Sequence, residues 1–459
     1  MKLFETVEKE IKDTFVNEGM KLLNKNPEKN IDRGFKLAQK FMRNKISQDG
    51  LNGLYKLYKY NPATRKYMQN FLQTTNKKSL EKFFINFFAN ATWFGVSKRE
   101  KFLEEENTKI PFVILLSPSM RCNLRCTGCY AAKYSKKDDI PFEEIDRIIG
   151  EARELGIYYF IILGGEPFAV DYMLKIYEKY NDVLFTPFTN GTLFNEELAD
   201  KLQKLGNVVP MFSLEGFEEQ TDARRGKGVF KKVVHAMDLL KERGMLFGVS
   251  SAATRANFEV VSSDKFVDFL IEKGAKMSFY FIYMPVGISP DIKMMLRPEE
   301  RVELGRRIRH IRTDKPYFAI DFFNDAPYIG GCIAGKYYCH INSKEEVEPC
   351  IFAHYACDNL KGKPLLSIFR SQFFKDLRQE QPYNKNLLLP CMMIDNTDVI
   401  RDIVKRDHAH PTDESAAKMI NDPQFMRELD ELAQNYRPAA DKAWQKYFHD
   451  KGNYWLSKG

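Results

Sequence analysis

Phe112-Val-Ile-Leu-Leu116-Ser-Pro-Ser-Met-Arg-Cys122-Asn-Leu-Arg-Cys126-Thr-Gly-Cys129-Tyr130 is the stretch on which the reading of this chain turns. A short apolar run with strand character meets a loop carrying three cysteines within eight residues. Three thiolates on one loop can hold one inorganic cluster. A closed zinc site asks for a fourth ligand. On a four-iron cluster, three cysteines leave one iron open to a non-protein ligand. Zinc, or thiols that meet without function, are the plainer alternatives.

Outward from this loop, residues 110–325 alternate short apolar runs with amphipathic stretches. The apolar runs Phe112–Leu116, Tyr158–Leu163, Val183–Phe188, Val208–Leu214, Leu246–Ser251 and Met277–Met284 read as strands. Phe142–Leu155, Tyr172–Tyr180, Glu196–Leu205, Phe230–Arg243, Ser263–Lys273 and Pro298–Arg312 read as the helices that follow them. Six β-then-α units predict an α/β fold, a partial (β/α)6 TIM-like barrel, with chemistry at the carboxyl ends of the strands. Those ends are polar or glycine-rich. Strand two ends in Leu163-Gly164-Gly165-Glu166-Pro167, where two glycines would let a ligand approach and Glu166 would accept from an ammonium group. Strand three ends in Thr189-Asn190-Gly191 and strand four in Ser213-Leu214-Glu215-Gly216, followed by Asp222-Ala-Arg224-Arg225. Strand five ends near Ser250 and Ser251, and strand six in Tyr283-Met284-Pro285-Val286-Gly287.

With these motifs in place, residues 110–290 resemble the radical S-adenosylmethionine (radical SAM) enzymes. The resemblance implies that Cys122, Cys126 and Cys129 ligate a [4Fe–4S] cluster whose open iron takes the methionyl group of SAM. It implies Gly164, Gly165, Glu166 and Pro167 at that methionyl group, and Ser213 and Glu215 at the ribose and sulfonium. It adds Met284, Pro285 and Gly287 at the adenine edge, with Asn190 beside them in the cofactor site. One-electron cleavage of SAM would yield a 5′-deoxyadenosyl radical able to abstract hydrogen from an unactivated carbon. A small electron donor such as a flavodoxin or ferredoxin is the implied partner. The sequence departs from the family in one place: Gly128 stands before the third cysteine, where an aromatic residue is frequent.

The remaining five cysteines run Cys332-x6-Cys339-x10-Cys350-x6-Cys357-x33-Cys391. In a reducing cytosol such spacing reads as metal binding before disulfides. Gly331-Cys332-Ile-Ala-Gly335 and Glu348-Pro349-Cys350 resemble the auxiliary-cluster modules called SPASM and twitch. The full module carries seven cysteines for two clusters, so five allow one. Cys332, Cys350 and Cys391 are the expected ligands, and Cys339, Cys357 or no protein residue supplies the fourth. A structural zinc site or buried thiols remain the alternative, and His340 and His354 read as ordinary histidines.

The chain of 459 residues is 44% hydrophobic and 29% charged, as in ordinary globular proteins. It divides into a helical basic region (1–105), the barrel (106–325), an auxiliary-cluster region (326–400) and a helical tail (401–459). Residues 1–110 hold 22 Lys and Arg against 13 Asp and Glu. The basic excess therefore sits in that first module, which suits an anionic partner or a solvated lysine face. Leu80, Phe83, Phe84, Phe87 and Phe88 form a helical stripe. It would either pack on the neighbouring barrel or lie at a bilayer surface with Lys78, Lys82, Lys98, Arg99 and Lys101 near anionic lipid. The first ten residues lack a signal-peptide core, and no apolar run is long enough to span a membrane. A cytoplasmic protein is expected, with peripheral association at the inner membrane surface as its membrane option. The substrate reads as a peptide or protein side chain or a membrane-lipid chain. The absence of a recognisable RNA-binding motif argues against nucleic acid. The alternative function is a non-catalytic iron–sulfur or zinc scaffold that binds nucleic acid through the basic module.

Overall fold

The computed structural model describes residues 27–41, 45–131 and 138–448. The first ten residues, read above for a signal peptide, lie outside them. Seven strands follow one another in parallel: β1 (Val113–Leu116), β2 (Tyr159–Ile162), β3 (Leu184–Thr189), β4 (Met211–Ser213), β5 (Gly248–Ala253), β6 (Met277–Ile282) and β7 (Phe318–Asp321). Two more, β8 (Tyr338–Ile341) and β9 (Val347–Glu348), complete a sheet ordered β7-β6-β5-β4-β3-β2-β1-β8-β9. The six expected strands are present, and β7 extends them beyond the six-unit expectation. Moreover, β8 pairs in parallel with β1, Ile114 opposite Cys339, so the region after residue 326 continues the barrel sheet.

The helices between strands follow from their sequences. Phe142–Glu154 buries Ile145, Ile148, Ile149 and Ala152 on one stripe, with Glu143 and Glu144 in its first turn and Arg153 in its last. Each buried isoleucine contributes about 1.5–3 kcal/mol of apolar burial. Glu196–Leu205 begins where the Asn195 side chain accepts from the Leu198 N–H, and it ends at Gly206 with φ 73°. The expected helical tail is split. Glu414–Asn421 ends at Asp422, and Pro423 opens the 25-residue helix Pro423–Tyr447.

The amino-terminal helices Pro27–Phe41, Lys45–Tyr60, Pro62–Thr74 and Lys77–Phe83 share a small core of Ile31, Phe35, Tyr58, Leu72 and Leu80. The phenylalanine stripe continues into a π-helix, Phe84–Phe94, rather than an ordinary α-helix. Phe83 and Phe87 pack against Leu184, Val209 and Leu246 at the start of barrel strands. Asn86 donates to the carbonyls of Asn181 and Val183, both at 3.0 Å, and Asn90 donates to that of Asp182 at 2.8 Å. Lys82 Nζ donates to the Asn181 carbonyl at 2.9 Å, and the stem of Lys78 lies over Gly206. This stripe therefore meets the barrel, the first of the two readings. Among the described residues, no helix is long and apolar enough to cross a membrane.

Candidate active site

The cysteine loop sits at the carboxyl end of β1 and leans on the end of β2. The Gly165 and Glu166 N–H groups donate to the carbonyls of Ser119 (3.0 Å) and Arg121 (2.7 Å). A methyl group on Gly164 would collide with the Ser119 carbonyl, and one on Gly165 with that of Arg121. The two glycines are thus occupied by the loop's own backbone, where the sequence suggested an approaching ligand. Gly287, with φ 83°, does the same from the end of β6: a methyl there would collide with the carbonyls of Cys129 and Tyr130. The Ile288 N–H donates to Cys129 O at 3.1 Å, and Gly287 N–H donates to Ser415 Oγ at 2.9 Å.

Cys122, Cys126 and Cys129 lie within one another's electrostatic field. Burial pushes the Cys122 and Cys126 thiols up. The Leu124 N–H (3.4 Å) works against this at Cys122, and the charge of Arg225 does so at Cys126. Asn190 Nδ2 also points at Cys122 Sγ, at 3.8 Å. Among the described residues no three acidic, histidine or cysteine side chains close on one point as a single metal ion requires. Three half-buried thiols on one loop, in reach of an N–H, an amide and a guanidinium, fit the wider [4Fe–4S] group, whose thiolates need such donors.

Glu166 is 1% exposed and accepts from Thr189 Oγ1 (2.7 Å), Asn190 N–H (2.7 Å) and Phe168 N–H (3.1 Å). Burial pushes its carboxyl up and these donors pull it back. The oxygens expected to meet an ammonium group already bridge the ends of β2 and β3. Glu215, fully buried, ion-pairs with Arg224 (2.7 Å) and Arg225 (2.5 Å) and accepts from Ala252 N–H at 3.1 Å. Burial opposes its charge, but the two arginines outweigh burial and hold its carboxyl below the ordinary range. Arg224 in turn donates to the carbonyls of Thr127 (3.2 Å) and Gly128 (3.3 Å). Glu215 therefore clamps two arginines onto the cysteine loop, and Arg224 and Arg225, singled out in sequence without a role, are site residues. Ser213 ends β4 opposite Ser250, and Met284 and Pro285 are buried.

One cavity of about 1050 Å³ is lined by Cys122, Cys126, Cys129, Gly164, Gly165 and Asn190, and also by Ser213, Arg224, Arg225 and Met284. It continues through the barrel between inward side chains of β1 to β7.

The second cysteine set is sorted by the fold. Cys332, Cys350 and Cys391 lie in one another's field, and burial pushes the first two up to about 12 and about 11 and the third well above its usual range. Buried thiols with such values ionise when a metal supplies the charge. Tyr338 Oη donates to Cys350 Sγ at 2.6 Å. The Cys391 N–H donates to Asp395 (3.0 Å), itself fixed by a buried two-pronged pair with Arg301 at 2.6 and 3.0 Å. Cys339 sits on β8 in apolar surroundings with no other cysteine acting on it. Cys357 donates to Asp407 O at 3.3 Å. Neither offered fourth ligand joins the trio. His340 and His354 are held by Glu348 and Asp413 respectively, as ordinary buried histidines are.

Comparison with known proteins follows this geometry. The family model of the Radical SAM superfamily matches residues 116–252. The chain is 24% identical over 304 residues to the AdoMet-dependent heme synthase of Methanosarcina barkeri, covering 60% of this chain and 86% of the relative. It is 26% identical over 297 residues to the mycofactocin maturase MftC of Mycolicibacterium smegmatis, covering 60% and 75%. The crystal structure of Streptococcus suis SuiB bound to S-adenosylmethionine superposes with a TM-score of 0.55 at 22% identity, over 65% of this chain and 76% of that one.

Proposed function

We propose that this chain, whose residues 116–252 match the Radical SAM superfamily, abstracts hydrogen from an unactivated C–H of a substrate held in the barrel cavity, a peptide side chain or a lipid chain, assisted by one auxiliary cluster. Cys122, Cys126 and Cys129 would hold the SAM-binding [4Fe–4S] cluster, and Cys332, Cys350 and Cys391 the auxiliary one. When bound, the first group and SAM together supply a low-potential electron and the 5′-deoxyadenosyl radical, with a flavodoxin- or ferredoxin-like protein as electron donor. The residues of the chain do the rest. Glu215 holds Arg224 and Arg225 beside the cysteine loop. Glu166 ties the ends of β2 and β3 together under the loop. Gly164, Gly165, Pro167, Asn190, Ser213, Met284, Pro285 and Gly287 would line the SAM pocket. The apolar walls exclude water from a reactive carbon.

The observation that carries this reading is the single cavity that reaches both the cysteine loop and the barrel interior. The scaffold alternative is not retained, since the matched family and relatives are enzymes. Electron paramagnetic resonance of the anaerobically reconstituted, reduced protein tests the reading. A cluster signal that shifts on addition of SAM, and is absent in Cys126→Ala, is expected. A signal indifferent to SAM contradicts it.

A further inference from the structure

The interior of a closed eight-stranded barrel is filled by layers of branched side chains. Here it is hollow. The cavity is lined at the amino ends of the strands by Val113, Leu184, Met277 and Phe318. Halfway along it is lined by Leu115, Ile161, Phe279 and Ile320, and at the carboxyl ends by Phe281 and Phe322 beside the cysteines. Because the strands are parallel, this order runs the full depth of the barrel, about 20 Å for a six-residue strand. Phe83, Phe87 and Phe88 also line it from the amino-terminal helices. Among the described residues, three of the six exposed large apolar side chains, Leu54 (38%), Phe318 (44%) and Ile329 (45%), belong to its lining, so its rim is apolar where it meets solvent. Phe318 opens β7 and touches Tyr67 of helix Pro62–Thr74, which fixes one stretch of that rim at the amino ends of the strands.

Two cations in the lining form no close carboxylate ion pair among the described residues, although Asp321 and Asp325 lie in the field of Arg309. Lys276 immediately precedes β6, and its Nζ donates to Thr74 Oγ1 at 2.6 Å. Arg309 is 5% exposed, lies 4.8 Å and 5.4 Å from the ring centres of Tyr447 and Phe448, and leaves its Nε without a hydrogen bond. The other lining charges are committed: Arg312 to Asp325, Lys315 to Asp268, and Asp321 to the N–H groups of Phe323 and Asn324.

We infer that the barrel interior binds the hydrocarbon chain of an anionic amphiphile, admitted at the amino-terminal ends of the strands with its head near Lys276 and its chain aimed at the cysteine loop. A peptide segment is the poorer occupant. Its backbone would need partners along the bore, where the polar side chains of the strands are Tyr159, Thr186, Ser213, Ser250, Asp321 and Tyr338 against a majority of apolar ones. What becomes of the chain rests on the radical reading above; its binding does not.

The test is a titration of the full-length protein with cis-parinaric acid, followed by displacement with saturated fatty acids of increasing length. Saturable fluorescence is expected, with competitor affinity rising about fourfold per added methylene until the bore is full. Ile161→Trp, which plugs the middle of the bore, should abolish binding. Lys276→Glu, at the rim, should weaken stearate at least tenfold while leaving stearyl alcohol unchanged. It guards against a plugged variant that fails to fold. Non-saturable fluorescence, length-independent displacement, stronger displacement by a peptide than by stearate, or indifference to Lys276→Glu would each overturn the inference. 5′-Deoxyadenosine formation, measured on the same reconstituted protein, reports separately on the cysteine loop. Failure to bind lipid with cleavage intact sinks only the substrate class.

Discussion

The ring of Tyr283, at the end of β6, lies directly over the α-carbon of Gly128: a methyl group on Gly128 would come within 2.7 Å of Cε2 of that ring. Gly128 has φ 63°, a conformation that itself favours glycine. The end of β6 thus sets an aromatic ring against the loop position that precedes the third cysteine. Gly128→Ala should therefore weaken SAM binding at least tenfold, from strain of about 1 kcal/mol plus the collision. Gly128→Ala combined with Tyr283→Ala should regain part of the affinity, because the collision is gone. Isothermal titration of the reconstituted protein with SAM checks this, and equal losses in the single and double variants would refute it.

Among the described residues, Glu215 is the carboxylate that pairs with both Arg224 and Arg225 beside the cysteines. Removing one partner of a buried pair costs about 3–5 kcal/mol, because the charge left behind is unpaired. Glu215→Ala should unfold at markedly lower urea concentration and retain less iron after reconstitution. An unfolding midpoint within error of wild type would show that the clamp is not structural.

The auxiliary trio makes a sorting prediction. Cys332→Ala, Cys350→Ala and Cys391→Ala should each lose about half of the iron bound by the wild type, one of two clusters. Cys339→Ala and Cys357→Ala should keep it all. Iron and sulfide analysis decides, and a loss in Cys339→Ala would restore it as the fourth ligand.

His354 titrates out of range. Burial opposes its charge, but Glu348 and the hydrogen-bonded Asp413 outweigh burial and carry it from 6.5 to about 9. A raised pKa adds stability that is complete below pH 6.5 and is lost as the pH rises through 9. For a shift of this size the contribution is about 3 kcal/mol. The stability gap between wild type and His354→Gln should be widest near pH 6 and nearly closed at pH 10. A gap that is constant with pH would show that His354 stays neutral.

How far the sequence carries depends on the range of the interactions involved. The six expected strands were legible because each is a run of apolar residues fully or alternately buried, such as Val113–Leu116 and Met277–Ile282. β8 and β9 form a local antiparallel pair, but the parallel pairing of β8 with β1 joins segments more than 200 residues apart and leaves no local trace. β7 reads Phe-Ala-Ile-Asp, with an exposed first residue and a carboxylate at its end, so no sustained apolar run marks it as a strand. The phenylalanine spacing indicated a helix, yet hydrogen bonds of π type do not alter residue content. At the site, the cysteines, the glycine pair and Glu215 were all visible. That Gly164 and Gly165 seat the loop's own backbone, and that Glu215 pairs with arginines nine and ten residues later, depends on how strand ends converge in space.

Formation of 5′-deoxyadenosine tests the central claim most directly. Reduced, anaerobically reconstituted protein given SAM should release the nucleoside, Cys126→Ala should release none, and Cys391→Ala should still cleave SAM while failing to form product. Equal nucleoside formation by wild type and Cys126→Ala would contradict the assignment of the cysteine loop.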